Sequence, residues 1–192
     1  YQKESKIPLF MATDAEWGLS MRLSQTSDFP FQMALGALAD DDLIYDMGFE
    51  IGLQMRRLGL HINFAPVIDI NNNPLNPVIN YRSFGESRIR VTHKSITYMK
   101  GLQAAGIMAV AKHFPGHGDT QTDSHYGLPI IEHDRVRLDS IELYPFRKLI
   151  QEGVDGIMMA HINVPALDST PKLAATLSKK IVTDLLKTEM GF

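Results

Sequence analysis

A short apolar run, a polar loop and then an amphipathic helix follow one another four times along this chain, and that order constrains its fold more than any other feature. Residues 7–12 (IPLFMA) give way to TDAE, and residues 60–70 (LHINFAPVIDI) to NNNPLNP. Residues 107–111 (IMAVA) lead into KHFPGHGD, and residues 154–160 (VDGIMMA) into HINVP. Each run is too continuously apolar for a sheet with one wet face, so four strands buried on both faces are expected.

Helices fill the intervals. Residues 41–58 carry Leu43, Ile44, Met47, Ile51, Met55 and Leu58 at helical spacing, with acidic residues at the start and Arg56, Arg57 and Gly59 at the end. Those ends suit the helix dipole and a glycine stop. A second helix is expected over residues 91–105, before Gly106. Residues 134–152 contain Pro145, which predicts a short helix, a break, and a new helix with the proline in its first turn. Ser178 is placed to cap a fourth helix ending near Met190, with Gly191 as its stop.

Strand–helix alternation predicts an α/β protein with parallel strands joined by right-handed crossovers. Every polar cluster then falls after a strand, the edge where both (β/α)8 barrels and open doubly wound sheets build sites. A whole barrel takes about 250 residues and eight such units. Four units in 192 residues are half a barrel or a small open sheet. Neither GxGxxG nor GxxxxGK[ST] occurs, so a nucleotide-binding sheet would lack its phosphate cradle. Beyond the fourfold grammar there is no internal repeat, low-complexity tract or evident linker.

Composition narrows the partners. With 19 Lys+Arg against 22 Asp+Glu and no run of one sign, neither a nucleic-acid groove nor a membrane-binding face is expected. No apolar run approaches the ~18 residues that span a bilayer. The absence of cysteine excludes disulfides and thiolate metal sites. The first residue is Tyr rather than Met, so a trimmed start is expected, and the compartment is left open.

Three loops hold chemistry-bearing residues. KHFPGHGDTQTDSH, residues 112–125, contains three of seven histidines. Asp123 and His125 are two apart, so in extended chain they point the same way. A carboxylate on one ring nitrogen fixes the tautomer and leaves the other nitrogen for proton transfer. The same loop also reads as a metal site built from His113, His117, Asp119, Asp123 and His125, although five ligands from one loop are crowded. A solvated turn is the third reading. After the first run, Asp14 and Arg22 offer an acceptor and a donor for sugar hydroxyls, and Trp17 an apolar face; acidic residues there also cap helices. Arg82, in NYRSFG, is a ligand donor or a tie for its loop.

Taken together, these stretches resemble glycoside hydrolase family 3, in its bacterial β-N-acetylglucosaminidase (β-hexosaminidase) branch. The resemblance rests on D-x-E-x-G-x-x-x-R at residues 14–22, N-F-A-P-V-x-D at 63–69, R-S-F-G at 82–85, K-H-F-P-G-H-G at 112–118, D-S-H at 123–125 and A-H at 160–161, in the family's order. It implies a partial (β/α)8 TIM barrel, strands 2 to 5 with their helices. Residues 1–192 are then one incomplete domain truncated at both ends. It implies that Asp14, Arg22, Arg82, Lys112 and His113 bind a sugar, that His125 is the general acid/base and that Asp123 orients it, with neither metal nor cofactor. His117 is expected to hold the PGHG turn.

The implied activity is retaining hydrolysis of terminal β-linked N-acetylglucosamine from peptidoglycan fragments or related glycans. A small carbohydrate is the implied partner. The family's aspartate nucleophile follows a G-F, and here Gly191-Phe192 are the last residues. The nucleophile is therefore expected beyond Phe192, and these residues alone are expected to be inactive. A metal-dependent barrel hydrolase and a non-catalytic carbohydrate-binding fragment are the alternatives. One departure stands out: Trp17-Gly18 replaces the family's usual pair of glycines.

Overall fold

Four parallel strands lie side by side in the order β1 (Ala12–Thr13), β2 (Ile62–Asn63), β3 (Met108–Phe114) and β4 (Gly156–Met159). The computed structural model describes residues 1–122 and 127–192. A doubly wound sheet reverses its strand order at a switch point, whereas each strand here pairs with its successor, as in a barrel wall. The fold is α/β, an arc of parallel strands with helices on its outside, consistent with part of a (β/α)8 barrel.

A short helix that the periodicity does not predict, α1 (Gln32–Gly36), precedes those that form where it placed them: α2 (Asp42–Arg57), α3 (Arg88–Ala104), α4 (Arg135–Ser140) and α5 (Tyr144–Gln151). In α2 the stripe Ile44, Met47, Ile51 and Met55 is buried, while Leu43 and Leu58, at its two ends, are half exposed. Gly48 of α2 lies against α3, and a Cβ there would come within 2.5 Å of the Tyr98 carbonyl. The two helices can approach that closely only without a side chain at the crossing. The break at Pro145 is real, with the proline in the first turn of α5. Ser178 Oγ accepts from Ile181 N–H at 3.2 Å at the start of the last helix, Lys180–Glu189, which is wound as a π-helix.

The strand expectations need correction at three places. Residues 7–11 lie outside the sheet and Ile7 and Phe10 are largely exposed, so only Ala12 of that run is strand. Only its end reaches a neighbouring segment, where Met11 O accepts from His61 and Ile62 N–H. The regular part of β2 is two residues long, although Val110 N–H still donates to Ala65 O and Ile68 N–H to Lys112 O beyond it. Pro66, lacking an N–H, interrupts the ladder. β3, by contrast, runs three residues further than expected, through Lys112, His113 and Phe114. Burial on both faces also fails for β1 and β4, which are partly exposed because each is paired on one side only. No helix among the described residues is long and apolar enough to cross a membrane.

Candidate functional site

The extension of β3 creates the site. Side chains alternate along a strand, and at the C-terminal end of β3 one of them is a lysine instead of another apolar residue. Lys112 is 2% exposed, which an ammonium tolerates only among compensating charges. Its Nζ lies 2.8 Å from Asp14 Oδ1 and 2.8 Å from Glu16 Oε1. Both carboxylates come from the loop after β1.

That loop is pinned from beneath. Asn63, fully buried in β2, accepts from Ala15 N–H at 3.0 Å and donates to Ala15 O at 3.1 Å. The Tyr98 hydroxyl, from α3, donates toward Glu16 O at 3.0 Å, and Gln32 Nε2 donates to the same carbonyl at 2.5 Å. With the backbone fixed, Asp14 meets Arg22 at 2.8 Å through Oδ2. Glu16 takes a two-pronged bond from Arg82, NH2 to Oε1 at 2.7 Å and Nε to Oε2 at 3.0 Å. Burial raises the Asp14 and Glu16 carboxyls, but the cations outweigh it and both end below their ordinary values. Both are ionised at neutral pH, and Arg82 is held correspondingly more basic.

A second buried carboxylate, Asp69, organises the neighbouring loop. Its Oδ2 meets His113 Nδ1 at 2.7 Å, and its Oδ1 accepts from His117 N–H at 2.6 Å. Burial lowers the His113 pKa, and nearby Lys112 and Arg82 lower it further against the pull of Asp69. His113 is therefore neutral near pH 7. Bonded through Nδ1–H to a carboxylate, it leaves Nε2 as an acceptor. His117 is buried, and its Nδ1 lies 2.7 Å from Thr120 Oγ1, a bond within the PGHG turn region.

These groups face one cavity of about 530 Å³. All five sugar-ligand candidates, Asp14, Arg22, Arg82, Lys112 and His113, line it, together with Glu16 and His117. Met158 and Met159 of the adjoining β4, with Ala160 and His161 after it, complete the lining, and His161 Nδ1 lies 2.9 Å from Thr176 Oγ1. Asp123 and His125 lie outside the described residues. The five-ligand metal grouping is not assembled among the described residues: His113 is held by Asp69 and His117 lies by Thr120. Asp119 instead meets His133 Nε2 at 2.6 Å, with Glu142 nearby. Arg137, 3.7 Å from Asp119 and 3.2 Å from Glu142, brings the cation there.

With this geometry in place, comparison with known proteins is decisive. A model of the glycosyl hydrolase family 3 N terminal domain matches residues 1–192. The chain belongs to that family. Among family members, Beta-hexosaminidase A of Pseudoalteromonas piscicida is 41% identical over the whole chain, which covers 34% of that protein. Beta-hexosaminidase LpqI of Mycobacterium tuberculosis is 38% identical over 97% of the chain and 47% of its own length. A solved family 3 β-N-acetylglucosaminidase from Paenibacillus sp. str. FPU-7 superposes with a TM-score of 0.93 at 46% identity, over 97% of this chain and 35% of that one. The chain thus spans between a third and half of the length of these relatives.

Two residues of the site carry no role predicted from sequence: Glu16, which lines the cavity, and Asp69, which anchors His113 without lining it. Glu16 sits in the D-x-E motif and Asp69 closes N-F-A-P-V-x-D, so both were in view. What was missing is the pairing, since Glu16 meets Arg82 across 66 residues and Asp69 meets His113 across 44.

Proposed function

We propose that this chain supplies the sugar-binding and acid/base part of a retaining β-N-acetylhexosaminidase acting on terminal β-linked N-acetylglucosamine, in peptidoglycan fragments or related glycans. The observation that carries the reading is Lys112, buried between Asp14 and Glu16 on the cavity floor. Each of the four carboxylate oxygens there holds a cationic donor. Such a lattice keeps acceptors and donors fixed for sugar hydroxyls, while leaving neither carboxylate suited to attack carbon.

The nucleophile, as the resemblance to the family implies, is an aspartate outside these 192 residues. It attacks the anomeric carbon as the glycosidic C–O bond breaks, and protonated His125 gives its proton to the leaving oxygen. Neutral His125 then takes a proton from water, whose oxygen displaces the aspartate from the anomeric carbon. Asp123 fixes the tautomer and orientation of His125. Asp14, Arg22, Arg82, Lys112 and neutral His113 hold the sugar. The hexosaminidase names of the relatives support the substrate class.

The test is release of 4-nitrophenol from its N-acetyl-β-glucosaminide by the full-length protein. His125→Ala should cut turnover strongly, and His117→Ala should act mainly through loop order. Equal rates for His125→Ala and wild type refute the reading, and so does loss of activity on adding a chelator, which would favour a metal-dependent hydrolase. A second reaction has one observation in its favour. A solved structure described as the β-glucoside phosphorylase BglX superposes with a TM-score of 0.94 at 26% identity. Phosphate in the assay tests it: phosphorolysis yields the sugar 1-phosphate, and its absence leaves hydrolysis alone.

A further inference from the structure

Three aromatic rings gather beside the cavity without lining it. Trp17 and Phe31 lie 4.8 Å apart edge to face, Phe31 and Tyr81 lie 4.6 Å apart, and Trp17 and Tyr81 lie 6.2 Å apart. Trp17 follows Glu16 in the chain and Tyr81 precedes Arg82, so two of the rings are each one residue from a cavity residue. The two-pronged Glu16–Arg82 ion pair joins those loops and thereby sets the spacing of the rings. The cluster is an extension of the site's own framework.

Two of its rings stay open to solvent. Tyr81 is 48% exposed and Phe31 44%, although both touch other rings that would let them bury further. Contiguous aromatic surface left open next to loops that carry a charged cavity floor marks a contact surface. Aromatic faces suit the C–H face of a pyranose, and the Tyr81 hydroxyl adds a donor and an acceptor at its edge.

We infer that Trp17, Phe31 and Tyr81 form a platform for the second sugar ring of a glycan whose terminal ring fills the cavity. Continuity with Glu16 and Arg82 fixes that occupant as the next unit of the same ligand. The inference rests on the carbohydrate reading above and sharpens it: the site favours glycans of two or more sugars over single sugars or small aglycones.

Trp17 is the only tryptophan of these 192 residues, so the difference in emission between the full-length protein and its Trp17→Phe variant reports on this ring. Full-length protein is titrated with N-acetylglucosamine and with its thio-linked β-1,4 dimer, which resists hydrolysis, following Trp17 emission and calorimetric affinity. The dimer should bind more tightly and shift the emission. Tyr81→Ala should weaken the dimer about fivefold to tenfold, the scale of one aromatic contact, and leave the monomer unchanged. Phe31→Ala is the second variant, and circular dichroism checks that each is folded. Equal wild-type affinity for the two ligands overturns the platform, as does a dimer-to-monomer ratio that neither variant alters. Failure of both ligands to bind wild type overturns the carbohydrate reading itself, a result distinct from monomer binding without a dimer advantage.

Discussion

Lys112→Met should reveal how the cavity floor is held together. The change keeps the length of the side chain and removes its charge, leaving Asp14 and Glu16 facing the vacated position. Removing one partner of a buried ion pair typically costs 3–5 kcal/mol, because the remaining charge is left without compensation. Here Arg82 still neutralises Glu16 and Arg22 still meets Asp14, whose side chain is 32% exposed. The low end, about 3 kcal/mol, is therefore expected. For a domain of this size that is a fall in Tm of roughly 6–12 °C. The pH dependence is the sharper readout. Both carboxyls titrate below their ordinary values in the fold, so their contribution is present above about pH 4 and is lost as pH falls through the lowered values. Wild type loses that contribution on acidification, whereas the variant, left with Arg82 and Arg22 alone, has less of it to lose. Thermal melts of the two proteins at pH 7, 5 and 3.5 should therefore converge towards low pH. A gap below about 2 °C at pH 7, or one that stays constant with pH, would refute the argument that the charges on this floor are mutually compensating.

Other perturbations separate binding from stability. His113 resists protonation in the fold, so wild-type Tm should fall as pH drops below about 6.5, where the unfolded chain takes the proton; His113→Gln should flatten that part of the profile. Gly118→Ala drives a methyl group into the Ile70 carbonyl and should lower stability by about 3 kcal/mol or more. Gly59→Ala, at φ +75° with open space around it, should cost only about 1 kcal/mol, and denaturant titration of both variants checks the contrast. Arg22→Ala removes an exposed ion pair and should leave stability within about 1 kcal/mol while weakening sugar binding in calorimetry. Asp69→Asn should lose both, because the carboxylate is buried and holds two loop residues.

The sequence made the framework legible because helix signals are local. The dipole-matched ends of α2, Pro145 in the first turn of α5 and Ser178 at the start of the last helix are decided within a few residues, and the structure keeps them. Strand limits depend on partners distant in the chain. The run at residues 7–11 looked like strand from apolarity alone, yet only a neighbour can make it one. At β3 the error had the opposite sign: Lys112 and His113 read as the start of a loop because charged groups rarely continue a buried strand. They continue this one because Asp14, Glu16 and Asp69 wait across the sheet.

That exception is also the route to function. A strand position that ought to be apolar carries a lysine only where another segment supplies opposite charge, and here that segment is the loop after β1, while Asp69 after β2 anchors the adjoining His113. Charge compensation thus forces consecutive strand ends to converge on the same cavity. Asp69 extends the logic, since one buried carboxylate fixes the His113 ring, the His113 backbone and the His117 N–H together. Ligand geometry and loop order then share a single anchor. Motif spacing identified the cavity residues one segment at a time, but their roles follow from this mutual neutralisation, which no single segment contains.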